Sequence, residues 1–172
     1  MRVASGLSAL PRIVIDALAA RLGGTAHVAI QVAQRLAGDP SIAEVVVVTR
    51  RCSMVARGLR PAPGLRLVTL RPARRLELPR RVAWQALGLP GLTEPGTRLL
   101  TFSGMLPRRA AVPLVSHLSN AVMFERGGVA NRLRRRVVRW TAGTKGAQVV
   151  VPTRGQADLV RAAIGVEAHV VP

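Results

Sequence analysis

Tyrosine is missing altogether, and the other aromatics amount to two Trp and two Phe. Without Tyr the Tyr-Lys catalytic pair of short-chain dehydrogenases cannot exist. With so few aromatics, a platform for stacking single-stranded nucleic acid is not supported. Cys52 is the only cysteine, so a disulfide within the chain and a cysteine-rich metal site are both excluded. No apolar run reaches the ~20 residues of a membrane-spanning helix. The dinucleotide fingerprint G-x-G-x-x-G is absent, as are internal repeats and any composition shift that would mark a linker. Acidic residues are few, eight against 26 basic ones, and every basic residue but Lys145 is arginine.

What is present suits one globular domain. The chain has 172 residues, 49% of them apolar, and a chain of this size buries roughly 70% of the surface it exposes when unfolded. The net charge of +18 has two candidate origins, a coding bias toward Arg and Ala or selection for anionic partners. In either case such a surface attracts nucleic acid, anionic headgroups and phosphorylated substrates. The first residues, MRVASGLSALP, begin like a signal peptide, but Pro11, Arg12 and Asp16 interrupt the apolar region too early. Residues 1–11 are therefore expected to be a disordered leader or the result of a start site assigned too early.

The organising stretch is Arg12 to Leu36, RIVIDALAARLGGTAHVAIQVAQRL. Ile13, Val14 and Ile15 read as a strand covered on both faces. Gly23 and Gly24 permit a tight turn, and Thr25 is a suitable N-cap for the helix that follows. Val28, Ala29, Val32, Ala33 and Leu36 recur at helical spacing as its inward face, with Gly38 as the stop. A strand, a glycine turn and a helix start place free N–H groups and a positive dipole end beside an anion.

Further strands are expected at Glu44–Thr49, Leu65–Leu70, Arg98–Phe102, Val112–His117, Ala147–Val151 and the terminal HVVP. A short helix is expected within Cys52–Leu59. Another is expected at Arg80–Leu87, burying Val82, Ala83, Ala86 and Leu87. A third, Val129–Thr141, would set Ala130, Leu133, Val137 and Trp140 against a basic face of Arg132, Arg135, Arg136 and Arg139. A fourth starts at a capping box, Thr153 with Gln156, and stops at Gly165. The alternation predicts an α/β fold: a Rossmann-like parallel sheet of about six to seven strands with helices on both faces. Ligands of such sheets sit at the carboxyl ends of the strands. That singles out Gly23, Gly24, Arg50, Ser103, Gly104, His117, Asn120, Thr153 and Arg154.

The opening RIVIDALAARLGGTAHVAIQVAQRLA is similar to that of nucleotide-sugar glycosyltransferases of the two-Rossmann-domain (GT-B) type. Within these it most resembles the retaining group 1, family 4 enzymes, which include mannosyl- and glucosyltransferases. VPLVSHLSNAVMFE resembles their fifth strand, which commonly ends in His before a polar loop. RRRVVRWTAGTKGAQVVVPTRGQADLVRAAIGVEAHVVP resembles their run of elements up to the interdomain hinge. The resemblance covers residues 12–172 and implies the N-terminal, acceptor-side half of a GT-B fold. In the family a second Rossmann-like domain follows and carries the nucleotide-sugar site. The expectation is that this C-terminal donor domain is absent here, is a partner if encoded separately, and that the chain alone is inactive.

Each candidate residue has a plain reading beside the functional one. Gly23 and Gly24 form either a cradle for a phosphate or sugar or an ordinary turn, and the family pattern favours the cradle. His117 is a satisfied structural histidine or, as the resemblance implies, the catalytic-centre histidine that contacts donor or acceptor. Ser103 belongs with the substrate-binding candidates by its position at a strand tip. Ser119 and Asn120 would orient hydroxyls. Arg154 faces a phosphate or solvent, and Thr153 reads as a cap. Asp16 is a cleft contact or a loop residue. Arg71–Arg81 and Arg132–Arg139 are solvated faces or a membrane-surface patch.

The function expected is acceptor binding in hexosyl transfer to a hydroxyl. The donor is a nucleotide-diphosphate sugar acting as substrate, and neither a cofactor nor a bound metal is implied. Partners would be a sugar or lipid-linked acceptor and an anionic membrane surface. The location would be cytoplasmic, at the inner face of the plasma membrane. Two alternatives remain. One is an NADP-type oxidoreductase, with Arg50 and Arg51 meeting a 2′-phosphate. The other is a basic nucleic-acid-binding module, for which no reading helix or zinc spacing speaks.

Overall fold

A computed structural model describes residues 10–20, 23–71, 83–102, 112–118, 124, 128–142 and 147–171. The strands are β1 (Arg12–Asp16), β2 (Glu44–Arg50), β3 (Leu65–Leu70), β4 (Thr97–Thr101), β5 (Leu114–His117), β6 (Ala147–Val151) and β7 (Ala168–Val170). The helices are α1 (Gly23–Ala37), α2 (Met54–Gly58), α3 (Val129–Ala142) and α4 (Arg154–Ile164). All seven strands form one sheet in the order β3-β2-β1-β4-β5-β6-β7, and every neighbouring pair is parallel. The fold is α/β and Rossmann-like.

A parallel sheet needs both faces covered, and β2 shows how the sequence meets that need. Val45 and Val47 point to one face and Val46 and Val48 to the other, all four fully buried. Each contributes roughly 1.5–3 kcal/mol relative to exposure. The first face is closed by α1 through Ala26, Ala29, Ile30 and Ala33, with Val55 of α2 beside them. The second is closed by Leu18 and by a short irregular segment, a π-helical turn at Trp84–Gly88 followed by a 3-10 turn at Pro90–Leu92, which buries Leu89. A third cluster joins α3 and α4 to β6 through Val138, Val149, Val151, Val160 and Ile164.

Three local expectations change. Helix α1 begins at Gly23, so Thr25 lies inside its first turn and does not cap it. Val28 is 38% exposed and Ile30 is buried in its place; Val32 and Leu36 flank the core as expected. Before β4, Leu87 is 80% exposed and Ala83 is also outside, because the wider π-helical turn rotates Leu89 inward. The leader up to residue 9, residues 72–82, and the side chains of Ala86, Ala130, Leu133, Val137 and Trp140 lie outside the described residues.

The terminal caps follow the sequence closely. Thr153 Oγ accepts the Gln156 N–H at 3.3 Å at the start of α4. Gly165 closes that helix in the left-handed conformation, φ 69°, a geometry that favours glycine. Ser53 caps α2, accepting the Ala56 N–H at 3.0 Å.

Candidate functional site

Because the strands are all parallel, their carboxyl ends make one edge: Asp16, Arg50, Leu70, Thr101, His117, Val151 and Val170. The strand order runs outward in one direction from β1 to β3 and in the other from β4 to β7. Ligands of open α/β sheets bind where that direction switches, which here is between β1 and β4. Asp16 and Thr101 sit side by side at that point.

Asp16 is fully buried, as is Thr101. Its Oδ1 accepts the Leu18 N–H at 3.1 Å, and its Oδ2 receives the Thr101 hydroxyl at 3.4 Å. Asp16 is thus the last residue of β1, with its carboxyl group held by the protein's own groups. The Phe102 N–H donates to the Asp16 carbonyl at 2.9 Å, and the Ala17 N–H to the Val48 carbonyl at 2.9 Å. The chain leaving β1 is thereby tied to both neighbouring strands.

His117 ends β5, one strand beyond β4. Its ring lies 5.2 Å from that of Phe102, inclined at 53°. Its Nδ1 is buried and has no hydrogen-bond partner among the described residues. Burial pushes the imidazole below its ordinary pKa, because removing water disfavours the charged ring. The ring is therefore neutral at neutral pH, able to accept at one nitrogen and donate at the other. At the next strand end, Gln156 also carries a buried, unpartnered atom, Oε1, in the first turn of α4. An amide oxygen three residues into a capping box gave no sequence signal beyond the cap.

Gly23 and Gly24 open α1 on this same edge. Gly23 has φ 69°, and among the described residues a Cβ at either glycine would meet no atom within 4 Å. Among those residues nothing packs where these side chains would be. Arg154, the first residue of α4, is exposed and Thr153 serves as its cap, as the capping box implies. Among the described residues, α1 and α4 have no acidic residue in their first turns, which leaves the positive ends of their dipoles suited to anions. The acidic ion pairs gather instead at the opposite edge, where Glu44 bridges Arg12 at 2.7 Å and Arg66 at 3.1 Å.

Ser103, Gly104, Ser119 and Asn120 lie outside the described residues. Arg50 is described, and its Nε donates to the Leu18 carbonyl at 3.0 Å, which gives it a role in the corner that the 2′-phosphate reading did not foresee. On α3, Arg135 and Arg139 donate to the carbonyls of Phe124 and Ile164 at 3.4 and 3.2 Å, so two of the four arginines of the expected basic face also bond to the protein itself, although Arg139 stays exposed. Among the described residues no three His, Cys, Asp or Glu side chains group to hold a metal ion. Among them, too, no helix is long and apolar enough to cross a membrane. No protein-family model matches the chain, and no curated protein sequence matches it.

Proposed function

We propose that this chain is the acceptor-binding half of a nucleotide-sugar-dependent glycosyltransferase of the retaining GT-B type, moving a hexosyl group to a hydroxyl acceptor. The observation that carries the reading is one edge holding both the open corner at Gly23–Gly24 and a neutral His117 with an unpartnered buried nitrogen. The strands that lead to them, β1 and β5, are separated by β4 alone, roughly 10 Å from strand to strand at the usual spacing. That span suits a sugar unit.

In this reading the first-turn N–H groups of α1 receive acceptor oxygens, charged or neutral. The His117 imidazole hydrogen-bonds a hydroxyl beside the transfer centre, with Arg154 at the strand end beyond it; Ser103, Ser119 and Asn120 keep the substrate-binding roles that the sequence suggests for them. The nucleotide-diphosphate sugar is held by a second Rossmann-like domain facing this edge. The new bond joins the acceptor oxygen to the anomeric carbon, the bond from that carbon to the nucleoside diphosphate breaks, and the nucleoside diphosphate leaves with the electron pair and takes up the proton that the acceptor hydroxyl gives up. Exposed Arg132 and Arg136 add attraction to an anionic surface at about 1 kcal/mol each, which suits a lipid-linked acceptor at the cytoplasmic face of a membrane.

Residue-resolved NMR titration of the chain with mannose 6-phosphate and with a polyprenyl phosphate in detergent tests the reading. Shifts at Gly23, Gly24 and His117 are expected. Isothermal titration showing micromolar affinity for UDP- or GDP-hexoses, with those residues silent, would overturn it.

A further inference from the structure

The peptide group of Leu18 is held at both of its polar atoms by side chains from different strands. Its N–H goes to Asp16 Oδ1 at 3.1 Å, and its carbonyl receives Arg50 Nε at 3.0 Å across 32 residues of sequence. The Leu18 side chain is itself buried beside Val14, Val46, Val48 and Leu99. Asp16 is steadied in turn by the Thr101 hydroxyl from β4. One backbone unit, five residues ahead of Gly23, is thus fixed from β1, from β2 and, through Asp16, from β4.

We infer that Arg50 and Thr101 are positioning residues: they clamp the β1–α1 corner so that Gly23 and Gly24 stand ready for the acceptor before it arrives. The inference rests on the acceptor-site reading above. Its physical basis is that a loop ordered only on binding sacrifices affinity to conformational entropy, whereas one ordered in advance does not. Arginine suits the task because its guanidinium presents planar donors in a fixed fork, which are pre-organised for a carbonyl. A buried carboxylate suits the other end, since it accepts at both oxygens at once.

The test uses the full chain and its R50M, R50K and T101V variants. Three quantities are measured: the thermal midpoint, the hydrogen-exchange rate of the Leu18 amide, and the affinity for mannose 6-phosphate read at the Gly23 and Gly24 amides. R50M is expected to speed Leu18 exchange and weaken the sugar phosphate by about tenfold, which corresponds to about 1.4 kcal/mol. R50K, which can still donate to the Leu18 carbonyl, is expected to recover most of both. If R50M does not fold, T101V, which removes a single hydroxyl, decides by the same two readouts. Unchanged Leu18 exchange, or unchanged affinity, in a folded variant of a wild type that binds would overturn the clamp alone. A wild type whose Gly23 and Gly24 do not respond would overturn the acceptor reading, and the inference with it.

Discussion

At the scale of the residue, His117 gives the clearest pH signature. Its folded-state pKa lies below the ordinary 6.5 while the unfolded chain keeps that value. The unfolded state then binds more protons as pH falls, so the stability that His117 contributes is complete above pH 6.5 and declines as pH drops below it. An NMR titration should place the His117 midpoint below 6.5, and H117F should flatten the fall in thermal midpoint between neutral and mildly acid pH. A His117 midpoint at or above 6.5 contradicts the burial of Nδ1. The glycine pair supplies a second prediction. G23A should destabilise by roughly 1–2 kcal/mol, the cost of a left-handed backbone for a residue with a Cβ. G24A should leave the thermal midpoint unchanged or slightly raised, since its Cβ enters open space, yet weaken mannose 6-phosphate binding. Equal loss of stability in both would mean that Gly24 serves the fold and not a ligand.

At the scale of the element, helix α4 shows what short-range chemistry determines. Thr153 and Gly165 were readable as its caps because capping depends on two or three neighbouring residues. T153A should cost about 1 kcal/mol, seen as a fall in thermal midpoint of roughly 2–4 °C for a chain of this length; no fall would mean that the hydroxyl is replaced by water. Helix α1 shows the limit. Its apolar stripe was legible, but its start was not, because Gly23 enters the helix from a positive φ that no spacing rule reveals. The Trp84–Gly88 turn was misread for a similar reason. A π-helical turn shifts the register, so helical spacing pointed to Leu87 when Leu89 goes inward. The candidate site divides the same way. Gly23, Gly24 and His117 could be picked out because strand ends carry ligands in this class of sheet. The bond from Arg50 to Leu18, however, is set by tertiary packing across strands.

At the scale of the whole molecule, the alternation of strands and helices sufficed for the class of fold and the number of strands. Strand order was beyond it, since the side on which each crossover returns depends on packing between distant segments. Charge belongs to this scale as well. With a net charge of +18, self-repulsion opposes the compact state, and few carboxylates are available to offset it. Raising salt shortens the screening length from roughly 30 Å at 0.01 M to about 3 Å at 1 M. The thermal midpoint should therefore rise with sodium chloride over that range. A fall would show that the Arg12–Glu44–Arg66 pairs outweigh the repulsion.

The partnership of Asp16 with Thr101 spans 85 residues, and it bears on how the polypeptide is born. A chain emerging from the ribosome presents β1, β2 and β3 long before β4 exists to cover the other side of β1. Until then a valine-rich three-stranded sheet ends at β1 in an unsatisfied backbone edge, the kind of surface that aggregates and that chaperones shield. Synthesis thus holds the carboxyl-end edge of the sheet incomplete until its second half arrives.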